Sequence, residues 1–181
     1  MKWRRLDQPA HEAVAMQGTP DAGFVLHGTV RGQTPDRGLY SLAYRVHCAS
    51  DWVTRDALVE GTLGDRKLRI ALERDTTTGL WTRDGLPALQ VATCVDVDLG
   101  FSPSTNTLPI RRLRLDIGAE AAVRAAWLRF PELTLEPLEQ IYRRIGRELY
   151  VYESAGGDFR AELVVDASGL VRRYGDLWIA E

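Results

Sequence analysis

KLRIALERDTTTGLWTRDG, Lys67 to Gly85, decides how this chain folds. Leu68, Ile70 and Leu72 alternate with Lys67, Arg69, Ala71 and Glu73. A period of two sends successive side chains to opposite faces, so one face is apolar and the other polar, as in a half-buried strand. Thr76-Thr77-Thr78-Gly79 then turns the chain toward Leu80 and Trp81. Asp84-Gly85 suits a hairpin turn, because glycine accepts a positive φ and aspartate tolerates one.

The same pattern extends in both directions. Tyr40, Leu42, Tyr44 and Val46 alternate with Ser41, Ala43, Arg45 and His47, and Leu163 and Val165 lead into Asp166-Ala167-Ser168-Gly169 before Leu170-Val171 returns. Closely spaced turn signals between alternating runs predict a mainly β chain, a sheet, sandwich or barrel. No linker, low-complexity run or charge block divides it, so residues 1–181 read as one domain.

Two segments fit this pattern less well. Behind Pro137, Leu138, Ile141, Tyr142 and Ile145 fall at helical spacing, yet LTLEPLEQIY also alternates, so 137–147 reads as helix or strand. In SPSTNTLPI, Ser104 or Thr105 suits the cap of a short helix, with Pro109 tolerated in its first turn, where backbone N–H groups lack partners. Helix content is small in either case.

The 181 residues are 45% hydrophobic and 27% charged, ordinary for a globular chain. A chain of this size buries roughly 70% of its unfolded surface, enough for a core. A net charge of -2 provides no global field for nucleic acid or an anionic membrane. The basic start MKWRR is followed by no apolar run of signal-peptide length, and no stretch is long enough to span a bilayer, so a cytoplasmic location is expected. Cys48 and Cys94 are too few for a disulfide framework and read as buried thiols. His11, His27 and His47 lie too far apart for a local metal motif, and the sequence contains no GxSxG, P-loop, GxGxxG after a strand or HExxH. Neither a cofactor nor a metal is expected.

Asp96 and Asp98 remain as candidate chemistry. Two apart in a strand, they share a face with Cys94, while Val95, Val97 and Leu99 share the other. Facing a cavity, the two carboxylates would raise each other's pKa and serve as a general acid/base pair or as hard-cation ligands; otherwise they sit on a solvated strand face or pair with arginines, Arg112 and Arg114 being natural partners if the two strands meet. Of the five tryptophans, Trp52 and Trp81 sit among Asp, Arg and Thr in DWVTRD and LWTRDG, a setting suited to sugar contact.

CVDVDLGFSPSTNTLPIRRL, with WTRDG, the run from RFPEL to EQIY, the strand Tyr150-Val151-Tyr152 and the terminal GLVRRYGDLW, resembles the bacterial Putative glycolipid-binding protein family from Trp3 to Trp178. The resemblance implies a spiral β-roll, a many-stranded antiparallel sheet wrapped around one central helix and often paired as a homodimer. It implies that SPSTNTLPIRR contains or leads into that helix, with Asn106 and the threonine hydroxyls satisfying backbone groups. It also implies a non-catalytic binding or carrier protein for a glycolipid or similar amphiphile held inside the curved sheet, with Trp52, Trp81, Asp96, Asp98, Asn106, Arg111 and Arg112 as candidate contacts. The alternatives are a carboxylate-dependent hydrolase of a sugar conjugate using Asp96 and Asp98, and a dimeric structural domain with no ligand. AELVV, ending in an apolar run, is a candidate open edge for dimer pairing.

Overall fold

The computed structural model describes residues 1–19 and 21–181. Its strands, in chain order, are β1 (Lys2–Arg5), β2 (Ala10–Gly18), β3 (Phe24–Thr34), β4 (Gly38–Cys48), β5 (Thr54–Leu63), β6 (Arg66–Arg74), β7 (Trp81–Arg83), β8 (Leu86–Pro87), β9 (Asp96–Leu99), β10 (Glu120–Leu128), β11 (Leu135–Arg144), β12 (Leu149–Ser154), β13 (Phe159–Val165), β14 (Val171–Tyr174) and β15 (Trp178–Ala180). Among the described residues there is one α-helix, α1 (Thr107–Leu113), entered through a 3-10 turn at Ser104–Asn106.

All fifteen strands join one sheet in the order β8-β7-β6-β5-β4-β3-β2-β1-β15-β14-β13-β12-β11-β10-β9. Two antiparallel meanders, β1 to β8 and β10 to β15, meet where β1 pairs with β15, Trp3 opposite Ala180. The pairing of β9 with β10 is parallel, with α1 in the crossover between them. The sheet is not closed into a barrel, because β8 and β9 lie at opposite ends of this order.

The sequence alternation is visible in what each strand buries. Tyr40, Leu42, Tyr44, Val46 and Cys48 of β4 are all buried, as are Ile70 and Leu72 of β6. Asp84 and Gly85, at φ of 52° and 80°, connect β7 to β8 as expected of a two-residue hairpin. Residues 137–147, open between helix and strand, lie mostly in β11. The buried positions there are Leu135, Gln140 and Tyr142, while Ile141 and Ile145 are exposed. A polar residue on the inward face concealed the period of two. AELVV is corrected by the topology: it lies in β13, paired on one side with the preceding β12 and on the other with the following β14, so neither of its edges is open.

The segment after β9 passes through the interior. Pro109 sits in the first turn of α1, as expected from its missing N–H. Leu108 and Ile110 are both buried and, at 3.6 residues per turn, point about 200° apart. They enter separate apolar clusters: Leu108 packs with Phe101, Leu99 and the large group of β1 to β7, Ile110 with Val123, Tyr142, Tyr150, Tyr152 and Leu163. The helix therefore divides the core in two.

The edge of β9 away from β10 is buried and has no strand partner among the described residues. Its Val97 N–H donates to Thr54 Oγ1 at 3.1 Å and its Leu99 N–H to Thr105 Oγ1 at 3.2 Å. Two threonine hydroxyls thus stand in for a sixteenth strand. A buried N–H left unpaired costs about 1–3 kcal/mol. Thr54→Val, which keeps the shape and removes the acceptor, is expected to lower unfolding free energy by about that amount in urea denaturation; unchanged stability would show that the hydroxyl does not carry the edge.

Candidate functional site

Beyond β9 the chain narrows into Gly100, where an added Cβ would lie 2.9 Å from Trp127 Nε1. Glycine here lets the Trp127 ring of β10 lie across the turn. Beside it opens a cleft of about 310 Å³, walled by Trp127, Tyr152, Phe159, Tyr174 and Trp178 and carrying Asp98, Ser102 and Asn106 among its polar groups, with Arg5. The rings of Tyr152, Phe159 and Tyr174 pack edge to face, with centroids 5.8–6.0 Å apart. That geometry places positive ring edges against π-faces and holds the wall in one arrangement.

The polar groups are fixed from behind. Gln140 Nε2 donates to Asp98 Oδ2 at 2.6 Å and to the Tyr152 hydroxyl at 3.0 Å. Asn106 Oδ1 accepts from the Tyr142 hydroxyl at 2.8 Å, and its Nδ2 donates to the Pro103 carbonyl at 3.1 Å. Burial pushes the Asp98 carboxyl up to about 6, against the hydrogen bonds from Gln140 and Thr105. Asn106 and Thr105 do satisfy backbone groups, but no side chain caps the start of α1: Thr105 serves β9 and Asn106 serves Pro103.

Ser102 connects the cleft to a second carboxyl. Its Oγ donates to Glu12 Oε1 at 2.6 Å and lies 2.7 Å from Ser104 Oγ, while the Tyr44 hydroxyl reaches Glu12 Oε1 at 2.5 Å and Ser104 Oγ at 2.8 Å. Glu12 is 3% exposed, and among the described residues its Oε2 has no hydrogen-bond partner. Burial lifts its carboxyl to about 8, with the Ser102 and Tyr44 bonds opposing. A buried acid with half of its acceptors unpaired is more stable protonated than charged.

The chain matches the family described as "Putative glycolipid-binding" over residues 1–180. It belongs to that family. A crystal structure of a DUF1089 family protein from Pseudomonas aeruginosa is 31% identical, covering 94% of this chain and 92% of that one, with a TM-score of 0.83. No curated protein matches the chain.

In this member of the glycolipid-binding family, the seven residues expected at the site are divided among several places. Asp98 and Asn106 lie in the cleft. Asp96, 1% exposed, is held behind it by Arg112, whose Nε and Nη2 reach its two oxygens at 3.1 and 2.5 Å. Burial drives the Asp96 carboxyl upward and the guanidinium pulls against it. The pairing of an Asp on β9 with Arg112 was legible, although Arg112 comes from the helix and not from a strand. The two aspartates do not share the cleft, since only Asp98 lines it.

Trp81 is buried, its Nε1 donating to the Cys94 carbonyl at 2.9 Å. Trp52 stacks on Phe24 at 4.1 Å, with the Arg111 guanidinium 5.0 Å from its ring. The rings at the cleft are instead Trp127 and Trp178.

Glu12 carried a signal that sequence reading missed. The buried positions of β2 are Ala10, Glu12 and Val14, so a charge fell on the inward face of an alternating run. For an acid with a raised folded-state pKa, stability is fullest below the unfolded value of 4.5 and declines as pH rises toward 8. Glu12→Gln, which imitates the neutral acid, is expected to flatten this decline in chemical denaturation measured from pH 4.5 to 8; an identical slope in the variant would assign the pH dependence to other groups.

Proposed function

We propose that the chain, acting as one domain over residues 1–181, is a non-catalytic binding protein for a glycolipid or similar amphiphile whose polar headgroup occupies the aromatic cleft. The observation that carries this reading is the meeting of five aromatic rings with Asp98, Ser102 and Asn106 in one cavity. Sugars are amphipathic in the same way, offering C–H faces to rings and hydroxyls to carboxylates and amides. The family description supports the same ligand class.

At about 310 Å³ the cleft is at the small end of ligand sites, sized for a headgroup. Side chains of the two apolar clusters pack on both sides of α1. The acyl part would therefore leave through the cleft mouth, which differs from the expectation of an acyl chain held inside the curved sheet.

Calorimetry with octyl glucoside below its micelle concentration tests the cleft, and native mass spectrometry of the purified protein tests for carried lipid. Trp127→Ala and Phe159→Ala are each expected to weaken binding about tenfold, equivalent to about 1.4 kcal/mol of lost ring contact. Equal affinity in both variants, or no binding across a glycolipid panel, would sink the reading.

The reading includes a homodimer in the bacterial cytoplasm. The exposed leucines Leu86 and Leu89 beside β8, at 70% and 71%, support an apolar contact between copies. The buried free thiols of Cys48 and Cys94 suit a reducing compartment. Light scattering at high micromolar concentration is expected to give twice the chain mass of 20.3 kDa; a monomer there removes the dimer.

A further inference from the structure

The cleft carries Asn106, just before α1, and a second cavity carries Ile110 and Arg111 from its last turn together with its C-cap, Arg114. This second cavity, about 440 Å³, also collects Arg144 and Arg147, with Glu148 and Asp166 as its carboxylates. Guanidinium groups outnumber carboxylates by two. Asp166 is already engaged, since its Oδ1 accepts from the Ser168 N–H at 2.9 Å, the Ser168 hydroxyl at 2.6 Å and the Leu170 N–H at 3.1 Å.

Arg144 and Arg111 are held but not neutralised. Arg144 donates through Nε to the Gly146 carbonyl at 3.2 Å, through Nη1 to Leu115 at 2.8 Å and through Nη2 to Arg147 at 2.7 Å. A guanidinium has five N–H donors, so two remain for a ligand. Arg111 is held between Trp52 and Gly169. Its guanidinium lies 5.0 Å from the indole, and a Cβ on Gly169, where φ is +85°, would come within 2.9 Å of its Cδ. Arg111 Nε is buried with no hydrogen-bond partner among the described residues. Among the described residues, no ion pair uses Arg111, Arg114, Arg144 or Arg147.

Gathered like charges repel, and most arginines elsewhere on this surface have carboxylate partners, so the four need a different explanation. The carbonyl end of α1 works against an anion, but a helix terminus carries only about half a charge. The excess of two guanidinium groups outweighs it. Planar donors held in place match the oxygens of a tetrahedral phosphate in paired hydrogen bonds.

We propose that this cavity binds a phosphate-type dianion, either a soluble phosphomonoester or the phosphate of a lipid headgroup. Half-buried Arg111 and Arg144 form its base, and exposed Arg114 and Arg147 form its rim. The proposal is independent of the amphiphile reading, because octyl glucoside carries no anion and the cleft shares no lining residue with this cavity.

The test uses the full chain, titrated calorimetrically with inorganic phosphate and glucose 6-phosphate, and sedimented with phosphatidylcholine vesicles with and without phosphatidic acid. Expected is binding to at least one phosphate source, weakening with added salt, and lost at least tenfold in the rim double variant Arg114→Ala/Arg147→Ala. Arg69→Ala, at an exposed pair with Glu60, serves as the control and should bind as the parent does. Binding of soluble phosphates without vesicle preference identifies a free phosphomonoester, and preference for phosphatidic acid identifies a headgroup; both support the site. Absence of binding to every source, or full affinity in a rim variant whose circular dichroism matches the parent, overturns it.

Discussion

The structure depends on how a sheet edge is buried. An open sheet of many strands has two ends, and each exposes a row of unpaired backbone groups. Here one end is kept very short, at β8, while the other, β9, is carried inside and paired with hydroxyls. Because Thr54 begins β5 and Thr105 lies just before α1, the inner edge is secured simultaneously by a distant strand and by the helical segment that follows it. The spiral is thus closed by side-chain chemistry, leaving strand pairing open.

Carrying β9 inward brings polar groups with it. Asp96 and Asp98 occupy this inward strand, and each accepts from a side chain of another element, Arg112 for the first and Gln140 for the second. Replacing Arg112 with an apolar residue would leave the Asp96 carboxylate buried without its cation, which costs more than the pair contributes. The cleft inherits its polar floor from this requirement. Asp98 and Asn106 are held by structural partners and still border the cavity, so the groups that secure the interior also line the cleft.

The strands were legible where large apolar residues alternate with small or polar ones, as in Lys67–Glu73 and Tyr40–Val46, because their period of two has no competing explanation. Legibility failed where the interior is polar. Gln140 faces inward between Leu138 and Tyr142, so β11 imitated a helix, and Glu12 faces inward between Ala10 and Val14, so its alternation went unread. AELVV looked like an edge because neighbours in space are not announced by a strand's own composition. The cleft was mostly illegible for a similar reason: its rings come from β10, β12, β13, β14 and β15, and no local spacing unites Trp127 with Tyr174. Asp98 and Asn106, the two expected residues that line the cleft, lie within one short segment.

The junction of β1 with β15 has a bearing on how the molecule assembles. Trp3 faces Ala180, and the Glu181 N–H donates to the Lys2 carbonyl at 2.9 Å, so the two meanders become one surface through contacts between residues almost the full chain apart. Each meander forms from neighbouring hairpins, but their union has the largest loop entropy to overcome. During synthesis the first strand must wait, its outer edge unpaired, until the last has been made.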